Sequence, residues 1–374
     1  MKPWIKSRRW RLAVQVLVVC LLFVALLYIG GKDFLNAFTN LDQTQLALAF
    51  VAYFASLILT FFRWYLLVRA LDLPFRIYDA IRLGFVGAII SLFMPGSVTG
   101  DLVKAGFIAT EQKRRSAAVA TIVVDRILGL YSLLLLTSVL GVIFWNEVQA
   151  YPMVSRIIIF VWATTGGAGV AVLMTIPFRA EPLIQKLGHL PALGPPFAEL
   201  VRALQSYKHK PKVVLITLLI GMLGHVGFVL CFYFAALGSP GETPSWQMHF
   251  LLIPVYMVAG AIPMTPLGNM GVGELMLGKL YQMIGADFNK GAAIALVQRA
   301  ITWLAALIGL IWYIPLKRAG KIQIPGDPET PTDLVSDGSA AAPGVADERT
   351  DHSPNGAAQP KASSPDPQAG EIVS

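Results

Sequence analysis

The chain has 374 residues, of which 55% are hydrophobic and 14% are charged, and its mean hydropathy is +0.62. Soluble domains are about 45–50% apolar and about 25% charged, and long uncharged runs would leave a soluble helix no polar face to present to water. Its two cysteines, Cys20 and Cys231, lie inside apolar runs, and the sequence has no nucleotide-binding glycine motif and no metal-ligand cluster. We therefore expect an all-α membrane protein without a cofactor.

The net charge of +8 combines two oppositely charged parts of the chain. Residues 325–374 contain nine acidic and two basic side chains, a net charge of −7, so the preceding residues carry +15. A basic membrane protein is suited to anionic lipid headgroups, and no basic groove with interleaved aromatic residues indicates a nucleic-acid partner. Residues 319–374 are rich in Pro, Gly, Ala, Ser and acid, which predicts a disordered tail after a membrane domain of residues 1–318.

The membrane domain contains eight apolar runs, most of them long enough to be membrane helices. In chain order they are Trp10–Ile29, Leu46–Leu67, Ala80–Met94, Ala117–Trp145, Ile157–Ile176, Val213–Leu237, Met248–Met264 and Ala292–Ile314, with a weaker stretch at Val272–Ile284. Basic residues precede the first run and no signal-peptide cleavage motif follows it, which predicts a retained span with a cytoplasmic N-terminus.

Two of the runs differ from ordinary spans. Ala80–Met94 would be about 22 Å long as a helix, less than the roughly 30 Å hydrocarbon core, and it leads into Pro-Gly-Ser-Val-Thr-Gly at 95–100. Met248–Met264 contains Pro254 and Pro263 and leads into a glycine-rich stretch at 265–273. Short segments interrupted by Gly and Pro are typical of broken helices in transporters, so we predict two re-entrant hairpins.

The distribution of Lys and Arg favours this topology. If all eight runs cross the membrane, the two sides hold 12 and 13 basic residues, so neither side is preferred. If both interrupted runs are re-entrant, the cytoplasmic side holds 20 and the outer side 3, and with only the first re-entrant the count is 19 to 5. The positive-inside rule therefore predicts about six transmembrane helices plus two re-entrant hairpins, with both termini in the cytoplasm.

A matched spacing suggests an internal repeat. Asp101 follows the first Pro/Gly break and precedes Arg126 by 25 residues, and Glu274 follows the second break and precedes Arg299 by 25 residues. The segments of about 46–145 and 213–314 would then be inverted copies, because one hairpin enters from each side. Such repeats occur in transporters that alternate access around a site at mid-membrane.

Charged residues within hydrocarbon are costly and often functional. Glycine permits unusual backbone conformations near each break, and the N-terminus of each returning half-helix could bind a phosphate, with the arginines adding bidentate contacts. The predicted substrate-binding residues are Gly96, Gly100, Asp101, Lys104, Asp125, Arg126, Gly268, Gly271, Gly273, Glu274 and Arg299.

Structural roles are the alternative for the same residues. Asp101 and Glu274 could cap their helices, and each acid–arginine pair could lock a hairpin to the next span. Lys104 and Lys279 fit side chains that extend to a membrane surface. His225 fits a packing residue inside a span, and the Arg63-Trp64 dipeptide fits an interfacial anchor.

These motifs resemble the lysylphosphatidylglycerol synthase transmembrane-region family, also called flippase-like membrane proteins. The matching stretches are Phe93-Met94-Pro95-Gly96, Gly100-Asp101-Leu102-Val103-Lys104, Val124-Asp125-Arg126-Ile127 and Gly268-Asn269-Met270-Gly271-Val272-Gly273-Glu274, and the likeness covers about residues 10–318. The chain has Asp125 where the family commonly has Glu, and Asn269 where it commonly has Gly.

The resemblance implies a domain of a bacterial cytoplasmic membrane that moves headgroup-bearing lipids between leaflets. The family's namesake carries a soluble aminoacyltransferase domain after its membrane region, and this chain continues into the predicted tail, so we do not extend aminoacylation to it. Two other functions stay open from the sequence: a membrane-embedded enzyme acting on a lipid-linked substrate, and an accessory protein that binds lipid without moving it.

Overall fold

The computed structural model describes residues 41–93, 99–111, 115–175, 204–260 and 271–318. The helices in these ranges are α1 (Gln43–Ala70), α2 (Ile77–Phe93), α3 (Thr99–Glu111), α4 (Arg115–Ile143), α5 (Trp145–Val148), α6 (Pro152–Thr175), α7 (Pro211–Leu237), α8 (Trp246–Gly260), α9 (Val272–Met283), α10 (Phe288–Leu307) and α11 (Leu310–Arg318). The first apolar run, residues 94–98 and 261–270 of the two Pro/Gly breaks, and the predicted tail lie outside the described residues.

Three of the long helices begin at residues with clear local causes. The Asp42 carboxylate accepts hydrogen bonds from the backbone N–H groups of Thr44 and Gln45 at 2.7 and 3.2 Å, which satisfies donors that the first turn of α1 leaves unpaired. Proline is the first residue of α7, where its missing N–H costs no helical hydrogen bond. Asp287 caps α10 by accepting from Asn289 N–H at 2.9 Å.

Four described helices, α1, α4, α6 and α7, are long and apolar enough to cross a membrane, and α10 and α11 make a fifth candidate if they form one span with its 46° bend. These candidates coincide with five of the six predicted spans, and the sixth, Trp10–Ile29, lies outside the described residues. The chain is therefore an α-helical protein with several membrane-spanning helices.

The surface of α7 shows why its surroundings must be apolar. Between Val213 and Leu237 it carries no Asp, Glu, Lys or Arg, yet it packs against α1, α4, α8 and α10 on only part of its circumference. Leu215, Leu219 and Leu223 are each more than half exposed. Large exposed apolar faces are unfavourable in water and are expected where a helix contacts lipid.

The helices α1–α4 and α7–α10 pack in the same pattern. In each group the first helix packs on the second and the fourth, the second on the third, and the third on the fourth. Between the groups, α1 packs on α7, α4 packs on α7 and α8, and α10 packs on α1 and α2. If each helix is exchanged with its counterpart in the other group (α1 with α7, α2 with α8, α3 with α9 and α4 with α10), the set of packed pairs is the same.

Helix α1 and helix α7 run antiparallel along each other. At one end Asp42 N–H donates to the Gly238 carbonyl at 2.9 Å, so α1 begins where α7 ends. At the other end Lys210 Nζ lies 3.0 Å from Asp72 Oδ2, so α7 begins where α1 ends. We call this second end the basic end, because Arg69, Lys208, Lys210 and Lys212 are close to it in sequence.

Each group also contains a pair of short antiparallel helices. The Arg82 guanidinium near the start of α2 lies 5.1 Å from the centre of the Phe107 ring near the end of α3. His249 near the start of α8 is hydrogen-bonded to the Tyr281 hydroxyl near the end of α9 at 2.7 Å. The four helices are about 18–25 Å long, less than a hydrocarbon core of about 30 Å. Helix α2 begins where α1 ends, and α8 begins where α7 ends. Because α1 and α7 are antiparallel, the open ends of the two pairs lie at opposite ends of α1 and α7.

Candidate functional site

The first acid–arginine pair lies between α3 and α4. Asp101, in the first turn of α3, is buried, and its carboxylate accepts hydrogen bonds from Arg126 Nε and, at 3.2 Å, from Lys104 Nζ. The Arg126 side chain is 48% exposed, so it is accessible at the protein surface although a buried carboxylate holds its guanidinium. Two cations around one anion leave this cluster with a net positive charge.

The second pair lies between α9 and α10 and is more enclosed. Glu274 is fully buried, and its Oε1 is 2.8 Å from Arg299 Nε and 2.7 Å from Nη2. Its Oε2 accepts the Gly271 N–H at 2.6 Å. Glu274 therefore also caps α9, which is the structural role that the sequence offered as an alternative to substrate binding. Gly271 has φ of 80°, a conformation that favours glycine.

The two pairs occupy equivalent places in their helices. Asp101 and Glu274 are each the third residue of a short helix, and Arg126 and Arg299 each lie eleven residues after the first residue of the next helix, at Arg115 and Phe288. The structure thus brings together both acid–arginine pairs that the spacing of 25 residues singled out.

The remaining predicted glycines divide into three cases. Gly96 and Gly268 lie outside the described residues. Gly100 packs against the backbone of Gly87 and the Ser91 hydroxyl so closely that a Cβ would have no room, which lets α3 approach α2. Gly273 is buried in the first turn of α9.

A third ion pair joins α1 and α4, and the sequence did not reveal it. Arg63 Nε lies 2.8 Å from Asp125 Oδ1, and Nη2 lies 3.1 Å from Oδ2 and 3.2 Å from the Asp125 carbonyl oxygen. The two side chains are 7% and 16% exposed. The interpretation of Arg63 as an interfacial anchor is therefore wrong, because its guanidinium makes a bidentate contact inside the helix bundle.

Small residues make the space for the Arg63 guanidinium. A Cβ at Gly129 of α4 would lie 2.9 Å from Nη1 and Nη2, and one at Gly221 of α7 would lie 3.2 Å from Nη1. The Gly129 carbonyl is also 2.9 Å from His225 Nε2 on α7, so this histidine lies inside the bundle, where its Nδ1 is buried without a hydrogen-bond partner among the described residues. Residues of α1, α4 and α7 therefore meet around one buried charge pair.

Tyr207, just before α7, belongs to the same region. Its buried hydroxyl donates to the Leu67 carbonyl at 3.0 Å. Burial, and secondly the nearby Asp125 carboxylate, raise the pKa of Tyr207 well above its usual value, so the hydroxyl keeps the proton that it donates.

Three lysines have roles that differ from one another. Lys104 binds Asp101, as above, and its ammonium lies 5.6 Å from the Trp64 ring centre, so the prediction that it extends to a membrane surface is wrong. Lys279 is exposed and contacts Gln282 at 2.9 Å, and its extension to a membrane surface stays a prediction. Lys290 of α10 is buried, and its ammonium donates to the Ser239 and Gly241 carbonyls and the Thr243 hydroxyl at 3.3, 2.6 and 2.7 Å.

Lys290 thereby ties α10 to the loop between α7 and α8. Beside it lies a cavity of about 740 Å³ whose lining includes the acidic residues Glu147, Glu242 and Asp287. These three acids are not grouped so that they could hold a metal ion, and no other three His, Cys, Asp or Glu side chains in the described ranges are.

The fold and these charge pairs define a class: a polytopic α-helical membrane protein with acid–arginine pairs inside its helix bundle. The lysylphosphatidylglycerol synthase TM region family matches residues 11–309, which covers most of the chain, so the protein belongs to that family. This membership is consistent with a lipid-related membrane function. Neither a curated protein nor a solved structure matches the chain.

Proposed function

We propose that the protein moves a phosphate-bearing lipid, or a lipid-linked headgroup, between the leaflets of a bacterial inner membrane. The observation that carries the proposal is the Asp101–Arg126 pair. A buried carboxylate fixes the guanidinium, and the arginine side chain is about half exposed, so a phosphate can approach a cation whose position is already set. Arginine is well suited to bidentate contact with phosphate, and preorganisation lowers the entropic cost of binding.

The second pair supports alternating access. Arg299 has the same place in α10 that Arg126 has in α4, but its side chain is only 11% exposed. In this proposal the two arginines are equivalent contacts for the headgroup, and the protein exposes one of them at a time. Rocking of one helix group against the other would reverse which arginine is accessible.

The topology in this proposal is an inverted repeat with two re-entrant hairpins, α2–α3 and α8–α9. Three observations support it: the unchanged set of packed pairs on exchange of the groups, the antiparallel packing of α1 on α7, and the short hairpin helices that open at opposite ends. In this proposal the basic end faces the cytoplasm, and its Lys and Arg residues support that orientation under the positive-inside rule.

Asp125 has a different role here from the other acids. Because it contacts Arg63 on α1, it holds α4 in place and leaves Arg126, the next residue, directed to Asp101. The headgroup-binding residues in the proposal are Arg126, Arg299 and the acids that fix them, Asp101 and Glu274.

A reconstitution assay tests the proposal. Vesicles containing the purified protein and a headgroup-labelled fluorescent phosphatidylglycerol are treated with a membrane-impermeant quencher, and the protected fraction reports movement between leaflets. Loss of a charge-assisted hydrogen bond costs about 1.5–3 kcal/mol, so Arg126→Gln should slow movement about tenfold or more. Arg156→Gln, an exposed arginine on α6, is the matched control and should not slow it.

Each rate is divided by the amount of folded protein, measured by size-exclusion chromatography. Equal rates for Arg126→Gln and Arg156→Gln would refute the site. The native protein would not be a lipid transporter if it bound the lipid without moving it, which would indicate an accessory protein. Chemical conversion of the lipid would indicate an enzyme instead.

A further inference from the structure

A groove of about 420 Å³ lies on the membrane domain between α4, α6, α7 and the segment 204–208 that precedes α7. Its walls are mainly apolar side chains of α4 and α7, among them Ile127, Leu134 and Leu218, with Ala168 contributed by α6. This groove is formed by residues other than the acid–arginine pairs, and the proposed transport mechanism does not use it.

The polarity of the groove changes along its length. Gln205 and Lys208 line it in the segment before α7, close to Lys210 and thus to the basic end. Leu134 and Leu218 lie further along α4 and α7, where the lining is apolar. The groove therefore has the polarity of a lipid, with a cation near the basic end and hydrocarbon-like walls further along α4 and α7.

The groove is also open to the side. Leu130 and Leu215, which line it, are 42% and 59% exposed, and both belong to helices long enough to span the membrane. An apolar groove beside lipid will be filled, because empty space next to apolar atoms loses dispersion contacts and an apolar cavity does not hold water well.

We propose that this groove binds one acyl chain of a phosphate-bearing membrane lipid whose phosphate contacts Lys208. The apolar walls match a hydrocarbon chain, and the exposed Lys208 ammonium matches an anionic phosphate at headgroup level. This inference goes beyond the proposed function, because the groove holds its lipid whether or not the protein moves lipid across the membrane.

A photoreactive probe in the groove identifies the occupant. Leu215 is replaced by p-benzoylphenylalanine, and the protein is reconstituted in phosphatidylcholine vesicles with a minor fraction of phosphatidylglycerol. After irradiation, intact-mass analysis should show phosphatidylglycerol adducts in excess of the bulk lipid fraction. The same probe at Leu223, exposed on α7 but outside the groove, should give adducts in the bulk proportion.

Other outcomes overturn the proposal. Adducts at Leu215 in the bulk lipid proportion would mean that the groove does not select a lipid. A cross-link within one chain, to residues 176–203 for example, would identify the occupant as part of the protein. A cross-linked dimer would identify it as a second copy of the chain.

Two pairs of matched variants test the two ends of the groove. Ala168→Phe should fill the apolar part and abolish the excess of phosphatidylglycerol adducts, whereas Ala163→Phe, exposed on α6 and outside the groove, should retain it. Lys208→Gln should raise the phosphatidylglycerol fraction needed for half-maximal adducts about fivefold, the equivalent of about 1 kcal/mol per surface cation. Lys212→Gln should leave that fraction unchanged, and equal effects of the two lysine variants would refute a phosphate contact at Lys208.

The transport assay separates this inference from the proposed function. Selective adducts in a protein that does not move lipid would refute transport and support the groove. Transport by a protein without selective adducts would support transport and refute lipid binding in the groove.

Discussion

The buried Arg63–Asp125 pair gives the sharpest prediction about stability. Removing one partner of a buried ion pair costs about 3–5 kcal/mol, because the other charge stays buried without a counter-ion. Asp125 is 16% exposed and Arg63 is 7% exposed, so we expect the lower value, about 3 kcal/mol, for Arg63→Met. Arg69→Met is the matched control, because Arg69 is an exposed arginine on the same helix, and it should cost less than about 1 kcal/mol.

The double variant Arg63→Met/Asp125→Leu distinguishes loss of a pair from general damage to the helix bundle. Replacing both charges by apolar residues is often neutral, so the double variant should be more stable than Arg63→Met alone. The coupling energy in the double-mutant cycle should be about 2–3 kcal/mol. The free energy of unfolding is measured by titrating dodecyl sulfate into mixed micelles and following helix content by circular dichroism.

Two results would refute this reasoning. One is a cost for Arg63→Met no larger than that for Arg69→Met. The other is additive costs for Arg63→Met and Asp125→Leu, which would show that the two side chains do not interact in the folded protein.

Three further predictions use the same unfolding assay. Glu274→Gln should cost about 3–5 kcal/mol because its carboxylate is fully buried against Arg299. Asp101→Asn should cost less, because the Arg126 side chain is about half exposed. Equal costs would contradict the difference in burial. Gly129→Ala should cost about 1–3 kcal/mol because its Cβ would meet the fixed Arg63 guanidinium. Gly106→Ala, with open space around it, should stabilise the protein by about 0.5–1 kcal/mol. No change in stability for Gly129→Ala would contradict the contact with Arg63. Lys290→Met should cost about 1–3 kcal/mol because it leaves the carbonyl of buried Ser239 without its donor. Lys279→Met, at an exposed position, should change stability by less than about 0.5 kcal/mol.

The sequence predicted the features that depend on local pattern and spacing. Hydrophobic run length located the helices, because a membrane helix must satisfy its backbone internally and present apolar side chains outward. The spacing of 25 residues singled out both acid–arginine combinations, which the sequence left open as ion pairs or as substrate-binding residues, and each acid lies in a short helix with its arginine on the helix that follows. The ends of α2 and α8 differ from the predicted runs by only a few residues.

Features that depend on distant packing could not be predicted. Arg63 precedes a tryptophan near the end of an apolar run, which is the usual pattern of an interfacial residue. Its true partner is 62 positions away, and nothing local indicates that Gly129 and Gly221 leave room for the guanidinium. Lys290 likewise reads as a residue outside the membrane, and only the fold places the α7–α8 loop around its ammonium.

The central claim is that two helix hairpins open on opposite faces of the membrane. Single cysteines in a background without Cys20 and Cys231 test it in intact cells with a membrane-impermeant maleimide: Asp72→Cys before α2, Glu111→Cys at the end of α3, Glu242→Cys before α8 and Gln282→Cys near the end of α9. We predict that the first two react only after the cells are opened, whereas the last two react from outside. Reaction of Glu111→Cys from outside with Asp72→Cys protected, or of all four from one side, would contradict the claim.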